Sequence, residues 1–377
     1  MAFSMMKLVD LKRKKWKSKL QPIKRQVLRR SLAIFSRVFG FLKKQVSSKK
    51  NPSRTLAVHL PDDIVEEILH RIPAKYLVRW KPVSKGWKSL IESGHLAERH
   101  LRRRQKMYGA EELKITFDMS DSGGFDIKFF SKYSRLRVEN RESEAPRVPG
   151  SCNGLVCIYN LVDVYLFNPM TGMIRTLSRL QGTKLSAGFG RDVVTGAYKV
   201  VVLYSYGDDD RVEAVVFDLS ASQWRRRYNT AGPMPRSFAL ISPERNPVSV
   251  NGSVFWLLTC DHDHSEILVM DLYTEAFRTV SLPKDIDVSS GYVYMWSLKG
   301  RLYVSNLRQG FDSDVWSFVQ DELDERWERT KFALGTVIPP LKLNSAWFSP
   351  TLVSPYQCTS TQCQSHLFLP HINIACQ

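Results

Sequence analysis

The side chains through which this chain of 377 residues could do covalent or metal chemistry fall into a few short clusters. Gly150-Ser151-Cys152-Asn153-Gly154 spells Gly-x-Cys-x-Gly, a nucleophile turn with cysteine in the reactive place. Such an elbow needs a strand before it and a helix after it. Here Pro146 and Pro149 stand before it and a strand-like run, Leu155 to Tyr159, follows, so a hairpin turn with a small buried thiol is the expectation. Asp261-His262-Asp263-His264 has metal-ligand types but reads as a solvated loop between strands. Cys358, Cys363, His366 and His371 match zinc spacing only loosely, because structural sites pair ligands about two to four residues apart. Gly188-Phe189-Gly190 has Val193 where a dinucleotide loop needs its third glycine. His264-Ser265-Glu266 is half of a zinc-deaminase signature, with no Pro-Cys-x-x-Cys anywhere to complete it. The expectation is no catalytic residue, no metal and no cofactor.

Charge is the next candidate for chemistry, since the formal net charge is +18. Residues 1–55 hold 17 Lys and Arg against one acid, Asp10, while the rest of the chain is close to neutral. A folded nucleic-acid site would spread basic residues through the body, so specific nucleic-acid binding is not expected. The arm carries Lys12-Arg13-Lys14-Lys15 with Lys17 and Lys19, a pattern compatible with nuclear import. Leu28, Leu32, Phe35, Phe39, Leu42 and Val46 line one face of a basic helical pattern, which suits an anionic membrane surface or a targeting segment. A solvated, partly helical tail is the plainer reading. Arg225-Arg226-Arg227 after Trp224 reads as a solvated strand end, with a cationic patch for an acidic partner as its alternative.

Composition bounds the class. Apolar residues at 43% and charged residues at 24% are globular, and no uncharged apolar run nears the roughly 18 residues of a membrane span. Six cysteines in this length make no disulfide scaffold, and without a secretory pattern the expected setting is reducing, in the nucleus or cytoplasm.

Residues 59–92 read as a small helical module. Leu60-Pro61 leads into Asp62, Asp63, Glu66 and Glu67, acids that complement the positive end of a helix dipole. Leu60, Ile64, Ile68 and Ile72 repeat every four residues, with Val65 and Leu69 widening the stripe. Pro73 breaks the helix. A second short helix carries Tyr76, Leu77 and Trp80; after Pro82 a third carries Val83, Trp87, Leu90 and Ile91. Modules below roughly 40 residues need metal, disulfides or a partner to complete a core. This one has no cysteine, so a protein partner is expected.

These residues resemble the F-box family. Leu60-Pro61-Asp62-Asp63-Ile64-Val65-Glu66-Glu67-Ile68-Leu69, then Ile72-Pro73, Leu77-Val78-Arg79 and Val83-Ser84-Lys85-Gly86-Trp87-Lys88-Ser89-Leu90-Ile91 are similar to its successive signatures. The resemblance implies docking to a Skp-type adaptor and, through it, to a cullin scaffold. Its adaptor-facing positions here are Leu60, Pro61, Ile64, Ile68, Leu69, Leu77, Val83, Trp87 and Leu90, some of which must be internal core instead. Trp80 and Pro82 depart from the family pattern.

After a charged helical stretch, Glu98 to Arg104, the chain changes to short β-branched and aromatic runs between turn formers. A polar turn former stands six residues before an apolar or aromatic residue four times: Asn168 and Ile174, Asp218 and Trp224, Asp271 and Phe277, Asp321 and Trp327. The spacing of about 50 residues is that of a kelch-type propeller blade. Asn153-Gly154, Asn251-Gly252 and Lys299-Gly300 introduce alternating apolar runs and read as hairpin entries. Four repeats are few for a closed ring: either residues 110–147 add strands or the ring is incomplete.

The stretches around Gly150–Cys157, Phe167–Gly172, Gly188–Asp192 with Tyr198–Val201, and Val250–Trp256 resemble the F-box-associated domain of plant F-box proteins. The expected organisation is therefore α+β and multidomain: a basic arm (1–55), a three-helix F-box with a following helix (56–105), an all-β kelch-like propeller-type domain (110–335) and a divergent uncharged tail (336–377). The function implied is a non-catalytic receptor subunit of a ubiquitin ligase that recruits an unidentified target protein. A β-propeller enzyme and a basic-arm nucleic-acid binder are the alternatives.

Overall fold

The structure is a computed structural model. It describes residues 62–106, 113–119, 125–129, 132–136, 146–160, 163–177, 184–206, 209–227, 234–235, 237, 241, 245–258, 266–286, 293–298, 300–306, 315–320, 325–330, 345–348 and 350–356. The chain divides into two compact units, residues 1–72 and 73–377.

Of the first unit the described part is helix α1, Asp62–Leu69, with Asp62 and Asp63 in its first turn as the dipole favours. Leu69 and Ile72 are buried, and the helix closes in turns from Arg71 N–H to the Ile68 carbonyl and Ile72 N–H to the Leu69 carbonyl before Pro73.

The second unit opens with α2 (Ala74–Trp80), a 3₁₀ turn (Lys81–Val83), α3 (Lys85–Glu92) and α4 (Gly94–Gln105). Proline in the 3₁₀ turn ends α2. Ser84 caps α3 by accepting from Trp87 N–H at 3.0 Å, and Ser93 caps α4 by accepting from Leu96 N–H at 3.1 Å. Ala74, Leu77, Ile91, Leu96 and Ala97 are buried.

Among the described residues, five four-stranded antiparallel sheets follow. Blade 2 is β4–β7 (Arg147–Cys152, Leu155–Tyr159, Val164–Asn168, Met173–Leu177) and blade 3 is β8–β11 (Lys184–Arg191, Tyr198–Tyr206, Asp209–Asp218, Gln223–Arg227). Blade 4 is β12–β15 (Val248–Val250, Ser253–Leu257, Glu266–Asp271, Phe277–Ser281) and blade 5 is β16–β19 (Val293–Leu298, Arg301–Asn306, Val315–Gln320, Glu325–Thr330). Blade 1 joins β1–β3 (Leu113–Met119, Phe125–Phe129, Lys132–Leu136) to β20 (Ser345–Phe348), in the order β20-β1-β2-β3. Sequence repeats revealed four units; the fifth is assembled from both ends of the domain, with Ile115 opposite Ala346.

Of the stretch read as a divergent tail, residues 345–348 and 350–356 pack with the sheets. Leu352 and Val353 are buried, Thr351 Oγ1 donates to the Asn153 carbonyl at 2.6 Å, and Tyr356 Oη donates to the Ile174 carbonyl at 2.6 Å.

Apolar layers fill the spaces between blades. One lies between blades 1 and 2 (Ile115, Phe117, Val156, Phe167), another between blades 2 and 3 (Leu155, Leu166, Val200, Val215). Two more separate blades 3 and 4 (Val201, Val216, Trp256, Met270) and blades 4 and 5 (Phe255, Val269, Val304, Phe318). Both faces of a middle strand are thus covered, so Leu155–Tyr159, expected to alternate, is instead apolar and buried throughout, and every residue of Val164–Asn168 is buried as well.

The 50-residue repeat has a simple cause. Asn168, Asp218 and Asp271 end the third strand of their blades, and each side-chain Oδ1 accepts the N–H groups two and three residues on. This Asx turn reverses the chain, so the residue six positions later faces the one before the turn former: Ile174 opposite Phe167, Trp224 opposite Phe217, Phe277 opposite Met270. In blade 5 the register differs: Trp327 faces Phe318, three residues before Asp321 rather than one, and Asp321 lies outside the described residues. Asn153-Gly154 and Asn251-Gly252 form two-residue hairpins with φ positive at both residues, as a type I′ turn requires.

Candidate functional site

Two surfaces collect residues that could meet a partner. The first comprises the apolar residues of the helical region, each unit taken by itself. On α1, Ile64 is 48% exposed, Ile68 one turn later is half-buried, and Leu69 is enclosed. In the second unit Val83 is 43% exposed, on the 3₁₀ turn rather than inside a helix. Trp87 and Leu90 are half-buried, while Leu77 is fully enclosed. Leu60 and Pro61 lie outside the described residues. Of the nine expected adaptor-facing positions, Leu69 and Leu77 are thus internal core; Ile64 and Val83 leave large apolar side chains in water.

The second surface lies where α4 meets the propeller. Leu101 enters the core between blades 2 and 3, Arg104 donates to the Pro350 carbonyl at 2.9 Å, and Gln105 donates to Asn153 Oδ1 at 3.2 Å. Beside this seam is a cleft of about 620 Å³ between α4 and the first hairpin turns of blades 2, 3 and 4. Arg191 stands over it, held by Nε donation to the Gly196 carbonyl at 2.8 Å and stacked 5.5 Å from the Tyr198 ring centroid. Arg191 and Arg102 approach the same carboxylate oxygen of Glu98, each at 3.3 Å.

The motifs with chemical spelling serve architecture. Cys152 ends β4 beside the Asn153-Gly154 turn; burial pushes its thiol up to about 12, against the opposing influence of Arg191, so it is protonated at neutral pH. Gly188 and Gly190 lie on the innermost strand of blade 3, where blade 4 approaches closely. A Cβ on Gly188 would overlap Val254 and come within 2.9 Å of the Trp256 ring; one on Gly190 would come within 2.8 Å of Leu272. Arg225 is no free cationic patch, because it pairs with buried Glu275 at 2.7 Å and with Asp218 at 3.4 Å. Asp261–His264 and the Cys358 to His371 cluster lie outside the described residues, among which no three potential metal ligands gather. No helix of the described residues is long and apolar enough to cross a membrane.

Comparison with known proteins decides the family. Residues 117–348, more than half of the chain, match the F-box associated beta propeller domain, and residues 58–98 match the F-box domain. The chain belongs to the plant F-box proteins with an associated β-propeller. This F-box protein is 58% identical to the Arabidopsis thaliana F-box family sequence At1g33530, over 96% of its own length and 91% of that sequence. It is 29% identical to the Arabidopsis F-box/LRR-repeat/kelch-repeat protein At1g09650, over 78% of its length and 80% of that protein. Among solved structures, TolB from Acinetobacter baumannii overlaps 66% of this chain and 59% of its own, at 11% identity and a TM-score of 0.35, too distant to bear on function.

The departures noted in the F-box are accommodated. Trp80 packs its ring 5.8 Å from that of Trp87, and Pro82 sits where a 3₁₀ turn tolerates it. The α4–propeller seam was not foreseen for this F-box protein: its polar partners, such as Glu98 and Arg191, lie far apart in sequence and share no motif.

Proposed function

We propose that this F-box protein is the substrate-recognition subunit of a Skp–cullin–F-box ubiquitin ligase. The F-box docks on a Skp-type adaptor, the adaptor links it to a cullin, and the propeller captures a target protein. The observation that carries the reading is the exposure of Ile64 and, in the other unit, of Val83, two large apolar side chains at F-box positions. Each side chain is about half exposed and so forgoes about 1 kcal/mol of burial free energy, which an apolar partner surface would recover.

The protein performs no covalent step in this scheme. Holding target and ubiquitin carrier in one assembly replaces a diffusional encounter by a high effective concentration. The protonated, turn-bound Cys152 supports a receptor rather than a thiol enzyme. Localisation in nucleus or cytoplasm, where such ligases act, is part of the proposal.

The test is a pull-down comparing the intact chain with a Leu60→Ala/Pro61→Ala double variant. Adaptor and cullin are expected with the intact chain and lost with the variant, while other captured proteins remain. Equal adaptor recovery from both would refute the assignment of the F-box surface.

A further inference from the structure

The cleft between α4 and the propeller is a built feature whose charges are left incompletely paired. Arg102 and Arg191 both donate to one carboxylate oxygen of Glu98 at 3.3 Å, so two positive charges share one negative charge. The other carboxylate in the lining, Asp192, is fully buried and occupied: it accepts from Val194 N–H at 2.8 Å, Thr195 N–H at 3.2 Å and the Thr195 hydroxyl, and lies 3.7 Å from Lys199. The formal charges of the lining balance, Arg102 and Arg191 against Glu98 and Asp192, but with Asp192 fully buried the charges that reach the cleft surface are two arginines against one glutamate. The Arg102 side chain is 71% exposed and free to turn toward a ligand, whereas Arg191 is already fixed in place by Gly196 and Tyr198.

One rim of the cleft is apolar and in water. Val193 and Val194, at the crest of the β8–β9 turn, are 69% and 64% exposed. Their exposure does not come from a loose loop, because the Asp192 side chain closes the turn beneath them. Two adjacent branched apolar residues displayed on a rigid turn beside two arginines that share one carboxylate form a mixed surface, apolar next to positive. A nucleic-acid groove would offer aromatic platforms for bases, and the lining contains no aromatic residue. The volume of about 620 Å³ falls in the range of roughly 300–1,000 Å³ typical of ligand sites.

We propose that this cleft docks a short acidic segment of the target protein. A carboxylate of the segment bridges Arg102 and Arg191, and a neighbouring apolar side chain lies on Val193 and Val194. Identifying the occupant as a target rests on the receptor function proposed above; the chemistry of the occupant, acid next to apolar, rests on the cleft alone.

The experiment selects random peptides displayed on phage against the full-length chain, then measures the strongest peptide by fluorescence anisotropy. Selected peptides are expected to place Asp or Glu beside Val, Leu, Ile or Met. Arg102→Glu and Val194→Asp, both at exposed positions, should each weaken the peptide by about tenfold or more, while Arg103→Glu, the same charge change on α4 outside the cleft, should stay within about twofold. Selection without acidic enrichment, wild-type affinity in Arg102→Glu, or an equal loss in Arg103→Glu would each overturn the proposal. So would a single-stranded oligonucleotide that displaces the peptide, since the cleft would then be a general polyanion groove. Adaptor co-purification is measured on the same preparations: its absence from the wild-type chain refutes the receptor function, whereas its retention with no peptide binding refutes the cleft alone.

Discussion

Lys199 of blade 3 places its ammonium 2.9 Å from the carboxylate of Glu275, which stands on the last turn of blade 4, and both side chains are almost wholly buried. Glu275 adopts φ 56°, a left-handed conformation unusual for a residue with a side chain, and also meets Arg225 at 2.7 Å. Lys199 donates in addition to the Leu272 carbonyl. The two residues therefore fasten adjacent blades on the side where α4 seats, around the turn that carries Val193 and Val194.

Removing one partner from this pair should leave a buried charge with only its second partner, Arg225 for Glu275 and Asp192 for Lys199. Lys199→Met and Glu275→Gln are each expected to lower unfolding free energy by about 1–3 kcal/mol in urea titration, whereas the double variant should lose less than the sum. Arg225→Ala, at a half-exposed position, should cost less than either single change. Single variants as stable as wild type would show that the pair does not hold the blades together.

The turn acids predict a response to pH. Burial would raise the Asp218 carboxyl, but hydrogen bonds from the Ser220 hydroxyl and the Ala221 and Ser220 amides, with Arg225 nearby, hold it below the usual range. Asp192 is lowered in the same way, with Thr195, Val194 and Lys199 outweighing burial. Because their folded-state values are depressed, both acids contribute stability above the ordinary carboxylate value of about 3.9, and that contribution is lost as pH falls through the lowered values. Asp218→Asn keeps an acceptor for the turn and loses the titration. Its urea midpoint should fall less between pH 7 and pH 3 than that of wild type; an unchanged acid sensitivity would contradict the role given to Asp218.

Asn168 makes the opposite demand. Its Oδ1 accepts from Met170 and Thr171, while Nδ2 donates to the Thr351 carbonyl at 3.2 Å and the Val353 carbonyl at 2.6 Å. A carboxylate can close the turn but cannot donate, so Asn168→Asp should destabilise by about 1–3 kcal/mol or more in thermal or urea unfolding. A neutral outcome would mean that the 350–356 segment is not fastened through this amide.

How much of this was legible in the sequence follows from the range of each interaction. The Asx turns at Asn168, Asp218 and Asp271 and the hairpins at Asn153 and Asn251 depend on neighbours, and their spacing marked the blades directly. The fifth blade was hidden, because β1 and β20 pair across more than two hundred residues and the closing strand has no repeat of its own. Lys199 and Glu275 were hidden for the same reason. In the F-box, periodicity marked Ile64, Leu69, Leu77 and Val83 alike as apolar; only three-dimensional packing separates the enclosed Leu69 and Leu77 from the exposed Ile64 and Val83. Gly188 and Gly190 resembled a phosphate loop in spelling, and the crowding by Val254, Trp256 and Leu272 gives them another purpose.

The most direct measurement is isothermal titration of the purified full-length chain with a purified Skp-type adaptor, for wild type, Ile64→Asp and Val83→Asp, with a melting curve for each. Wild type should bind, and each variant should lose about tenfold or more in affinity at an unchanged melting temperature. A wild-type chain that does not bind the adaptor, or variants that bind as tightly as wild type, would contradict the assignment.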